Sequence, residues 1–331
     1  RRTSAGAFPI YGILCRILYL CNDARTKAHQ SNEAFTIIIN RPMIRFITIF
    51  LVVPLMLLTI PTAGQDSNLR IGTYNLRMQH LNKNTPDSWE YRHGRCIRSI
   101  RDNDFDVFGV QELTESAAKE ISDDLRDTYA AIFFSPYKAD GIGNKSSGIL
   151  YKKKRFKLLE YHYFWLSDTP YEVSRNDHYI RGGERHSYCR GGACAIFKDK
   201  QTGKKFCFIN HHGILNKEEN LKYAHVLVDM ETKYNPGGYP SFLVGDFNAR
   251  ADHPSHQIWR QYWSDAAEVG GERQCTMNAF NTDPSEWDKA RHIDYVYYRN
   301  IGAPVRFSVN QTLYDGRCAS DHFPVWADFN L

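Results

Sequence analysis

The stretch 241–250, SFLVGDFNAR, brings two chemically useful side chains to the end of an apolar run. Residues 242–245 are typical of a buried strand, and Asp246 and Asn248 follow where that run ends. Residues two apart in an extended chain point to the same face, so this carboxylate and this amide should emerge side by side. Such a pair suits a phosphate group, because the carboxylate can hold a hard cation or orient a water while the amide steers an oxygen. A polar turn is the alternative, since Asp and Asn are common turn residues.

Other predicted strands also end in polar residues of this kind. The six ends carry Asn75, Glu112, His212, Asp246 with Asn248, Asp294, and Asp321 with His322. Hydrolysis of a phosphate ester needs neutralised charge on the phosphoryl oxygens, a positioned nucleophile and a stabilised leaving group. Carboxylate and amide oxygens favour Mg²⁺ or Mn²⁺ over zinc. A pairing of Asp with His is a usual way to keep an imidazole oriented. This set of residues therefore predicts phosphoester chemistry.

Six short motifs in this order resemble the endonuclease/exonuclease/phosphatase superfamily, which has the deoxyribonuclease-I-like fold, and in particular its secreted bacterial type. The motifs are TYNLR at 73–77, GVQE at 109–112, NHH at 210–212, GDFNA at 245–249, IDYV at 293–296 and SDHFPV at 320–325. The resemblance covers roughly residues 68–331. It implies an α/β fold, a four-layer α/β/β/α sandwich of two mixed β-sheets with the site at the carboxyl ends of the strands.

The resemblance also implies a divalent-cation site. Glu112 would be the main ligand of Mg²⁺ or Mn²⁺, and Asn75 and Asp321 would help to hold the ion. A solvated strand end is the alternative interpretation of Glu112.

The remaining roles implied by the resemblance concern water, phosphate and leaving group. Asp246 would orient or deprotonate the attacking water, and Asn248 would hold a phosphate oxygen. His322 would contact the phosphate, with Asp294 behind it fixing its tautomer. His212 would protonate the leaving oxygen or stabilise the transition state.

The sequence offers two adjacent histidines for the role at the leaving oxygen. Strand alternation lets only one of His211 and His212 face the site, and the position within the N-x-H motif selects His212. We interpret the other histidines that stand near these motifs as structural or surface residues. They are His186, His225, His253 and His256.

Residues 166–194 are rich in Arg, Gly, Asp and His and are expected to form a long surface loop, where substrate contacts often lie. In and next to this stretch, the candidate substrate-binding residues are Trp165, Arg175, Asn176 and Arg181. Each of them has an alternative interpretation as an ordinary loop residue. At 190–197 the chain reads RGGACAIF, where relatives of the secreted bacterial type usually carry an arginine- and tryptophan-containing strand. The carboxylate that supports the acid histidine in the nuclease branch is not assigned from the sequence.

Local patterns predict the remaining elements. Strands are expected at 69–75, 107–110, 129–134, 206–209, 293–298 and 323–329, with helices near 87–101 and 115–127. The runs 147–151 and 156–163 are expected to form a hairpin of the second sheet.

The formal charge of +5 is confined to the first part of the chain. Residues 1–65 hold seven Lys and Arg against two Asp and Glu, which leaves 35 basic and 35 acidic residues in 66–331. This neutral remainder does not favour nonspecific nucleic-acid binding, although a nucleic-acid substrate stays open.

A secretory signal is predicted over 43–64. Met43 and Arg45 precede the apolar run 46–60, and the small residues of PTAG follow. The run is shorter than the ~20 residues of a membrane-spanning helix. We interpret 1–42 as an upstream extension that is absent from the natural product. Residues 65–331 are then expected to form an exported catalytic domain, periplasmic or extracellular, monomeric and without a stable membrane anchor.

The cysteines do not add a metal site. Six cysteines lie in 65–331, and six permit 15 full disulfide pairings. Cys189 and Cys194 lack a second pair or a nearby His, so a loop disulfide or free thiols are favoured over zinc.

The sequence therefore predicts an exported Mg²⁺-dependent phosphoesterase acting on a phosphate-ester substrate. It does not choose among a nucleic acid, a phospholipid head group such as that of sphingomyelin, a phosphoinositide and a sugar phosphate. The alternatives are a secreted nuclease and a binding module that kept the fold and lost catalysis.

Overall fold

Two six-stranded β-sheets form the frame of the computed structural model, which describes residues 68–137 and 146–331. The strands are β1 (Asn68–Asn75), β2 (Val107–Leu113), β3 (Tyr129–Phe134), β4 (Ser146–Lys152), β5 (Phe156–Trp165), β6 (Asp177–Arg181), β7 (Glu184–Tyr188), β8 (Gly191–Asp199), β9 (Lys205–His212), β10 (Ser241–Asp246), β11 (Ser264–Asp265), β12 (Asp294–Arg299), β13 (Arg306–Val309) and β14 (Val325–Asn330). The helices are α1 (Trp89–Asn103), α2 (Glu115–Leu125), α3 (Lys217–Lys222), α4 (Ala224–Tyr234) and α5 (Ser255–Trp259).

Both sheets are mixed. The first has the order β13-β14-β1-β2-β4-β3 and the second the order β11-β12-β10-β9-β8-β5. Within them, β1 pairs with β2 and β9 pairs with β10 in parallel, whereas the other pairs are antiparallel. Parallel neighbours end at the same edge of a sheet. Each sheet therefore delivers two polar strand ends to one rim.

Strand alternation separates the layers. In β9, Phe206 and Phe208 pack into the core between the sheets, whereas Cys207 and Ile209 pack on the other face, with α4 and α5. On the outer face of the first sheet, α1 and α2 cover a second apolar cluster. This arrangement confirms the predicted four-layer α/β/β/α sandwich. In the described part of the chain, the helices are too short or too polar to cross a bilayer.

Asn210 ties the two sheets together through the buried core. Its Nδ2 donates to the carbonyl oxygens of Val110 (3.1 Å) and Gly148 (2.7 Å) in the first sheet. Its Oδ1 accepts a hydrogen bond of 2.7 Å from Gln111 Nε2. A Cβ atom on Gly109 would lie 2.3 Å from the Asn210 Oδ1, so glycine is required for this approach. These bonds fix the register between the two halves of the rim.

The predicted hairpin of 147–151 with 156–163 is wrong. β4 pairs with β2 and β3 in the first sheet, and β5 pairs with β8 in the second. The turn between them crosses from one sheet to the other. Arg155 in this turn pairs with Asp106 (2.8 Å) at the start of β2 and with Asp199 (2.9 Å) at the end of β8. These buried ion pairs favour the crossover.

The predicted long loop at 166–194 is also wrong in part. Its second half forms the β6–β7 hairpin and the start of β8. Gly182 and Gly183 both have positive φ angles at the tip, as a two-residue hairpin turn requires.

The predicted upstream extension (1–42) and signal peptide (43–64) lie outside the described residues. The six cysteines of 65–331 are all buried, and none of them forms a disulfide within the described residues of the structure. Of the two states predicted for Cys189 and Cys194, the structure therefore has the thiols and not the disulfide.

Candidate active site

A cleft of about 380 Å³ lies at the rim where the polar strand ends of both sheets meet. On its floor, Asp246 ends β10 and is buried. Its Oδ2 atom lies 3.0 Å from Asn75 Nδ2, 3.5 Å from His212 Nε2 and 3.9 Å from His322 Nε2. Its Oδ1 atom accepts a hydrogen bond of 2.9 Å from the backbone N–H of Asn248. This carboxylate is therefore the point where the predicted catalytic residues come together.

Glu112 reaches the cleft because β2 is irregular at that residue. The pairing of β2 with β4 shifts register between Val110 and Leu113, and Glu112 has a φ of 59°. Bulges of this kind re-aim side chains near active sites. The Glu112 carboxylate accepts hydrogen bonds from Asn75 Nδ2 (3.3 Å) and from the backbone N–H of Met78 (3.3 Å).

Asp321 lies on the same side of the cleft and faces Arg77. The distance from Arg77 Nη1 is 3.2 Å to Asp321 Oδ2 and 3.9 Å to Glu112 Oε2. Arg77 belongs to the TYNLR motif, but sequence reasoning gave it no role. Its guanidinium balances the negative charge of the two carboxylates.

His322 and Asp294 form a buried pair. His322 Nδ1 lies 2.8 Å from Asp294 Oδ2, so this ring nitrogen donates and the other faces Asp246. The backbone N–H groups of Ile293 and Asp294 both donate to Thr276 Oγ1, which holds the start of β12. Burial by itself disfavours a charged imidazole, but the Asp294 and Asp246 carboxylates outweigh it and raise the pKa of His322 to about 10. The ring is therefore cationic at neutral pH.

The two adjacent histidines point in opposite directions, as strand alternation requires. His212 lines the cleft. His211 packs against Phe247 and Trp259 in the helix layer, and its Nδ1 lies 3.2 Å from the carbonyl oxygen of Val244. Burial in that layer lowers the pKa of His211 to about 3, so the ring stays neutral.

Arg190 contacts His212, the histidine for which the sequence left a supporting carboxylate unassigned. Its Nη1 lies 2.9 Å from His212 Nδ1 and 3.0 Å from His212 Nε2, and its Nε donates to Asp177 Oδ2 at 2.8 Å. Asp177 is fully buried. Sequence reasoning missed both residues. For Arg190 the local signal was its place at the start of RGGACAIF. Asp177 gave no signal, because it lies in a stretch expected to be a loop.

Electrostatics favour ionisation of Asp246 and Glu112, whereas burial raises the pKa of Asp321 and that of Asp294. Burial alone would raise the pKa of Asp246, but the hydrogen bond from His212 and the charge of His322 hold it below its ordinary value. Burial opposes ionisation of Glu112 as well, yet His212 and Arg77 lower its pKa.

The donor atoms on the floor fit a hard divalent cation. Ligand atoms of Glu112, His212 and Asp246 lie within 4.8 Å of one another, and the Asn75 amide contacts two of these side chains. Asp246, Asp294 and His322 form a second group of the same size. Two of the three side chains in each group are carboxylates, whose oxygens Mg²⁺ and Mn²⁺ prefer.

The four candidate substrate-binding residues are not together. Arg181 lines the cleft, and the other three do not. Trp165 is buried and donates from Nε1 to the carbonyl oxygen of Pro136. Arg175 is exposed and donates from Nη1 to the carbonyl oxygen of Ser187.

Asn176 does not line the cleft but contacts the backbone of Arg190, which does. Its Nδ2 donates to the carbonyl oxygen of Arg190 at 2.7 Å, and its Oδ1 accepts from the Arg190 backbone N–H at 2.7 Å. These two bonds fix the backbone of Arg190, so Asn176 reaches the site only through that residue.

A two-sheet sandwich with carboxylates and histidines gathered at the strand ends is a phosphoesterase fold. A family model described as the Endonuclease/Exonuclease/phosphatase family matches residues 72–322, and the chain belongs to this family. Members of the family are hydrolases that act on phosphate esters.

Solved structures of similar proteins agree with this assignment. An endonuclease/exonuclease/phosphatase family protein from Bacteroides thetaiotaomicron is 26% identical with a TM-score of 0.69, over 80% of this chain and 99% of that one. A mannosyl-6-phosphatase from Bacteroides thetaiotaomicron is 26% identical with a TM-score of 0.68, over 78% and 98%. TDP2 from D. rerio, complexed with a single-strand DNA product, is 19% identical with a TM-score of 0.60, over 80% and 100%, and shares the fold. A search of curated protein sequences gives no significant match.

Proposed function

We propose that this protein hydrolyses phosphate esters with the help of Mg²⁺ or Mn²⁺. The observation that carries the proposal is the convergence on Asp246 Oδ2 of Asn75 (3.0 Å), His212 (3.5 Å) and His322 (3.9 Å). A carboxylate held and kept ionised in this way can orient a water molecule for attack and accept its proton. Glu112 and His322 line the same cleft, which favours catalysis over a binding module that has lost activity.

The metal would be held by Glu112, with Asn75 and Asp321 as further ligands. When bound, a divalent cation neutralises charge on the phosphoryl oxygens. The donor chemistry supports this assignment, because the carboxylates of Glu112, Asp246 and Asp321 line the same cleft and carboxylate oxygens suit a hard divalent cation.

The remaining steps belong to the side chains of the protein. Asp246 orients the attacking water, and the cationic His322, held by Asp294, binds a phosphoryl oxygen. Asn248, whose Nδ2 is fixed on the carbonyl oxygen of Gly213 at 3.0 Å, steers a second oxygen. His212 gives a proton to the leaving oxygen.

A phosphomonoester of a small alcohol is the substrate class with the best support. The 26% identity to a mannosyl-6-phosphatase favours a sugar phosphate, and the formal neutrality of 66–331 disfavours a nonspecific nuclease.

We also propose export of the domain that starts near Gln65, on the basis of the apolar run 46–60. N-terminal sequencing of the product from culture medium or periplasm tests the start site, and recovery of a product that retains 1–42 contradicts it.

The test is an assay of phosphomonoesters, phosphodiesters and nucleic acids with Mg²⁺, Mn²⁺, Ca²⁺ or EDTA. We expect activity to disappear in EDTA and to return with Mg²⁺ or Mn²⁺. Glu112→Gln should keep the circular dichroism spectrum and weaken metal binding measured by titration calorimetry, because a neutral amide replaces the main anionic ligand. Glu115→Gln, a substitution of the helical Glu three residues further on, is the matched control. Full activity in EDTA would contradict the proposal.

A further inference from the structure

The hairpin of β6 and β7 carries three aromatic rings on one face. Tyr179 and His186 are cross-strand partners, and Tyr188 lies beside them. The ring centroids are 5.3, 5.8 and 6.3 Å apart in the three pairs, and the interplanar angles are 22°, 25° and 3°. In each pair the rings are nearly parallel and close enough to stack with an offset, so the three rings pack against one another. We call this cluster the aromatic wall (Tyr179, His186 and Tyr188).

Two of the three residues of the aromatic wall line the cleft. Tyr179 and Tyr188 line the cleft together with Arg181. Side chains alternate along a strand, so Tyr179 and Arg181 share this face, whereas Ile180 points away and is 73% exposed. The wall therefore lies beside the cleft floor. If the phosphate of a substrate is bound at the floor, its alcohol part would extend toward the wall.

Buried contacts hold the base of the hairpin in place. Asp177, the first residue of β6, accepts hydrogen bonds from Arg190 Nε (2.8 Å) and from the backbone N–H groups of Leu215 (3.0 Å) and Asn216 (3.1 Å). A surface fixed before binding lowers the entropic cost of capturing a ligand.

Arg181 adds a positive charge at the end of this wall. Its side chain is exposed and makes no hydrogen bond or ion pair with any residue of the described ranges 68–137 and 146–331. Arg185 lies opposite Ile180 in the ladder and therefore points away from the cleft. The planar guanidinium of arginine is well suited to bind acceptor groups on a ligand.

We infer that the aromatic wall and Arg181 bind the alcohol part of the substrate, and that this part contains a ring. The inference rests on the proposed hydrolysis of phosphate esters and specifies which esters are preferred. Aromatic ring faces stack on a nucleobase or on the C–H face of a sugar ring, and an arginine binds hydroxyl or anionic groups on either. An acyclic alcohol packs against such ring faces only by losing its own conformational freedom.

A matched pair of substrates tests whether esters with a ring in the alcohol part are preferred. Glucose 6-phosphate and sorbitol 6-phosphate carry the phosphate on the same carbon and differ chiefly in ring closure, and adenosine 5′-monophosphate adds a base. We expect kcat/KM of the wild type to be about tenfold higher for at least one ring-bearing ester than for sorbitol 6-phosphate. Preference for glucose 6-phosphate identifies a sugar site, and preference for adenosine 5′-monophosphate identifies a base site.

Variants of the wall should remove that preference. Tyr179→Ala combined with Tyr188→Ala should lower the ratio of kcat/KM for the ring-bearing ester to kcat/KM for sorbitol 6-phosphate about tenfold, because only the ring-bearing ester loses stacking contacts with the wall. Tyr179→Phe keeps the ring and should retain the preference. Tyr161→Ala, at an exposed tyrosine of β5 outside the cleft, is the control for loss of an aromatic side chain.

The arginine is tested in the same way. Arg181→Ala should raise KM for the preferred ester several-fold, whereas Arg185→Ala on the opposite face should leave KM unchanged.

A binding measurement separates this inference from the proposed function. Saturation-transfer NMR in EDTA, where turnover is absent, should show contact between the wall and the ring protons of the preferred ester, and the double tyrosine variant should lose it. If no phosphate ester is hydrolysed, the proposed function fails while the NMR result still reports on the wall. Equal kcat/KM for ring-bearing and acyclic esters, together with equal saturation transfer, would overturn the inference.

Discussion

The guanidinium of Arg190 lies between Asp177 and His212, with Nε 2.8 Å from the Asp177 carboxylate and Nη1 2.9 Å from His212 Nδ1. The Asp177 carboxylate therefore influences this histidine only through an arginine, whereas the Asp246 carboxylate lies 3.5 Å from His212 Nε2 on the cleft floor. Because Arg190 also lines the cleft, it places a positive charge next to the imidazole within the cleft.

The first prediction concerns Arg190. Arg190→Lys keeps the charge but loses the planar fork that spans Asp177 and His212, so kcat/KM should fall by about 10²-fold, as for loss of one preorganised donor to a developing anion. Asp177→Asn should lower it by about tenfold, since partners behind a catalytic group commonly matter by that amount. Steady-state kinetics on one phosphomonoester measures both.

Arg175→Lys is the matched control, because Arg175 lies in the same segment and contacts only a backbone oxygen among the described residues. Its kinetics should not change. Unchanged kcat/KM in Arg190→Lys would limit Arg190 to a structural role.

The second prediction concerns the bridge between the sheets. Asn210→Ala removes the donor to two carbonyl oxygens and one of the two acceptors of Gln111 Nε2, which keeps its hydrogen bond of 3.0 Å to Thr73 Oγ1. Unsatisfied buried groups cost ~1–3 kcal/mol each, so the free energy of unfolding should fall by about 3 kcal/mol. Turnover should also fall under conditions where the variant is folded, because each sheet supplies part of the site.

Denaturant titration followed by assay tests this second prediction. Asn281→Ala, at an exposed asparagine, should change the free energy of unfolding by less than about 1 kcal/mol. Equal effects of the two substitutions would show that the bridge contributes no specific stability.

The polar floor of the cleft could be predicted because its signals are local. Asn75 and Asp246 each end an apolar run, and the carboxyl ends of parallel strands meet at one edge. Glu112 could be predicted from its motif, although the bulge that aims it at the cleft could not.

The parts that could not be predicted depend on distant residues. The pairing of β4 with β2 and not with β5 is favoured by Arg155 and its two carboxylate partners, which lie 49 and 44 residues away. Asp177 and Arg190 meet across the β6–β7 hairpin, and the composition of that segment is typical of a loop. Neither local periodicity nor motif spacing contains this information.

The third prediction concerns acid sensitivity. His256 is fully buried, and burial lowers its pKa to about 4. The unfolded chain, with a histidine pKa near ~6.5, binds the proton more readily, so stability is full above that pH and falls as pH drops toward 4. This one group should cost about 3 kcal/mol across that range. His292, with a pKa also lowered to about 4 by burial, should add to the effect.

His256→Asn should flatten this pH dependence of the free energy of unfolding, measured by denaturant titration between pH 4.5 and 8. Its amide oxygen can still accept from Tyr297, whose hydroxyl lies 2.7 Å from His256 Nδ1. His225→Gln, at an exposed histidine, controls for loss of an imidazole. A slope identical to that of the wild type would mean that His256 is protonated equally in the folded and unfolded states.

The last prediction separates the two histidines of the cleft by their roles. His322, held by Asp294, acts on the phosphate, so His322→Ala and Asp294→Asn should lose comparable rate on every ester. His212 acts on the leaving oxygen, and a general acid contributes ~10²–10⁴-fold only where the leaving group needs a proton. His212→Ala should therefore lose far more rate on an alkyl phosphate than on a p-nitrophenyl ester, whose leaving group departs as a stable anion. His211→Ala is the matched control, because that ring packs in the helix layer. Equal losses on both esters would make His212 an electrostatic stabiliser, and a substrate-dependent loss in His211→Ala would transfer the acid role to its neighbour.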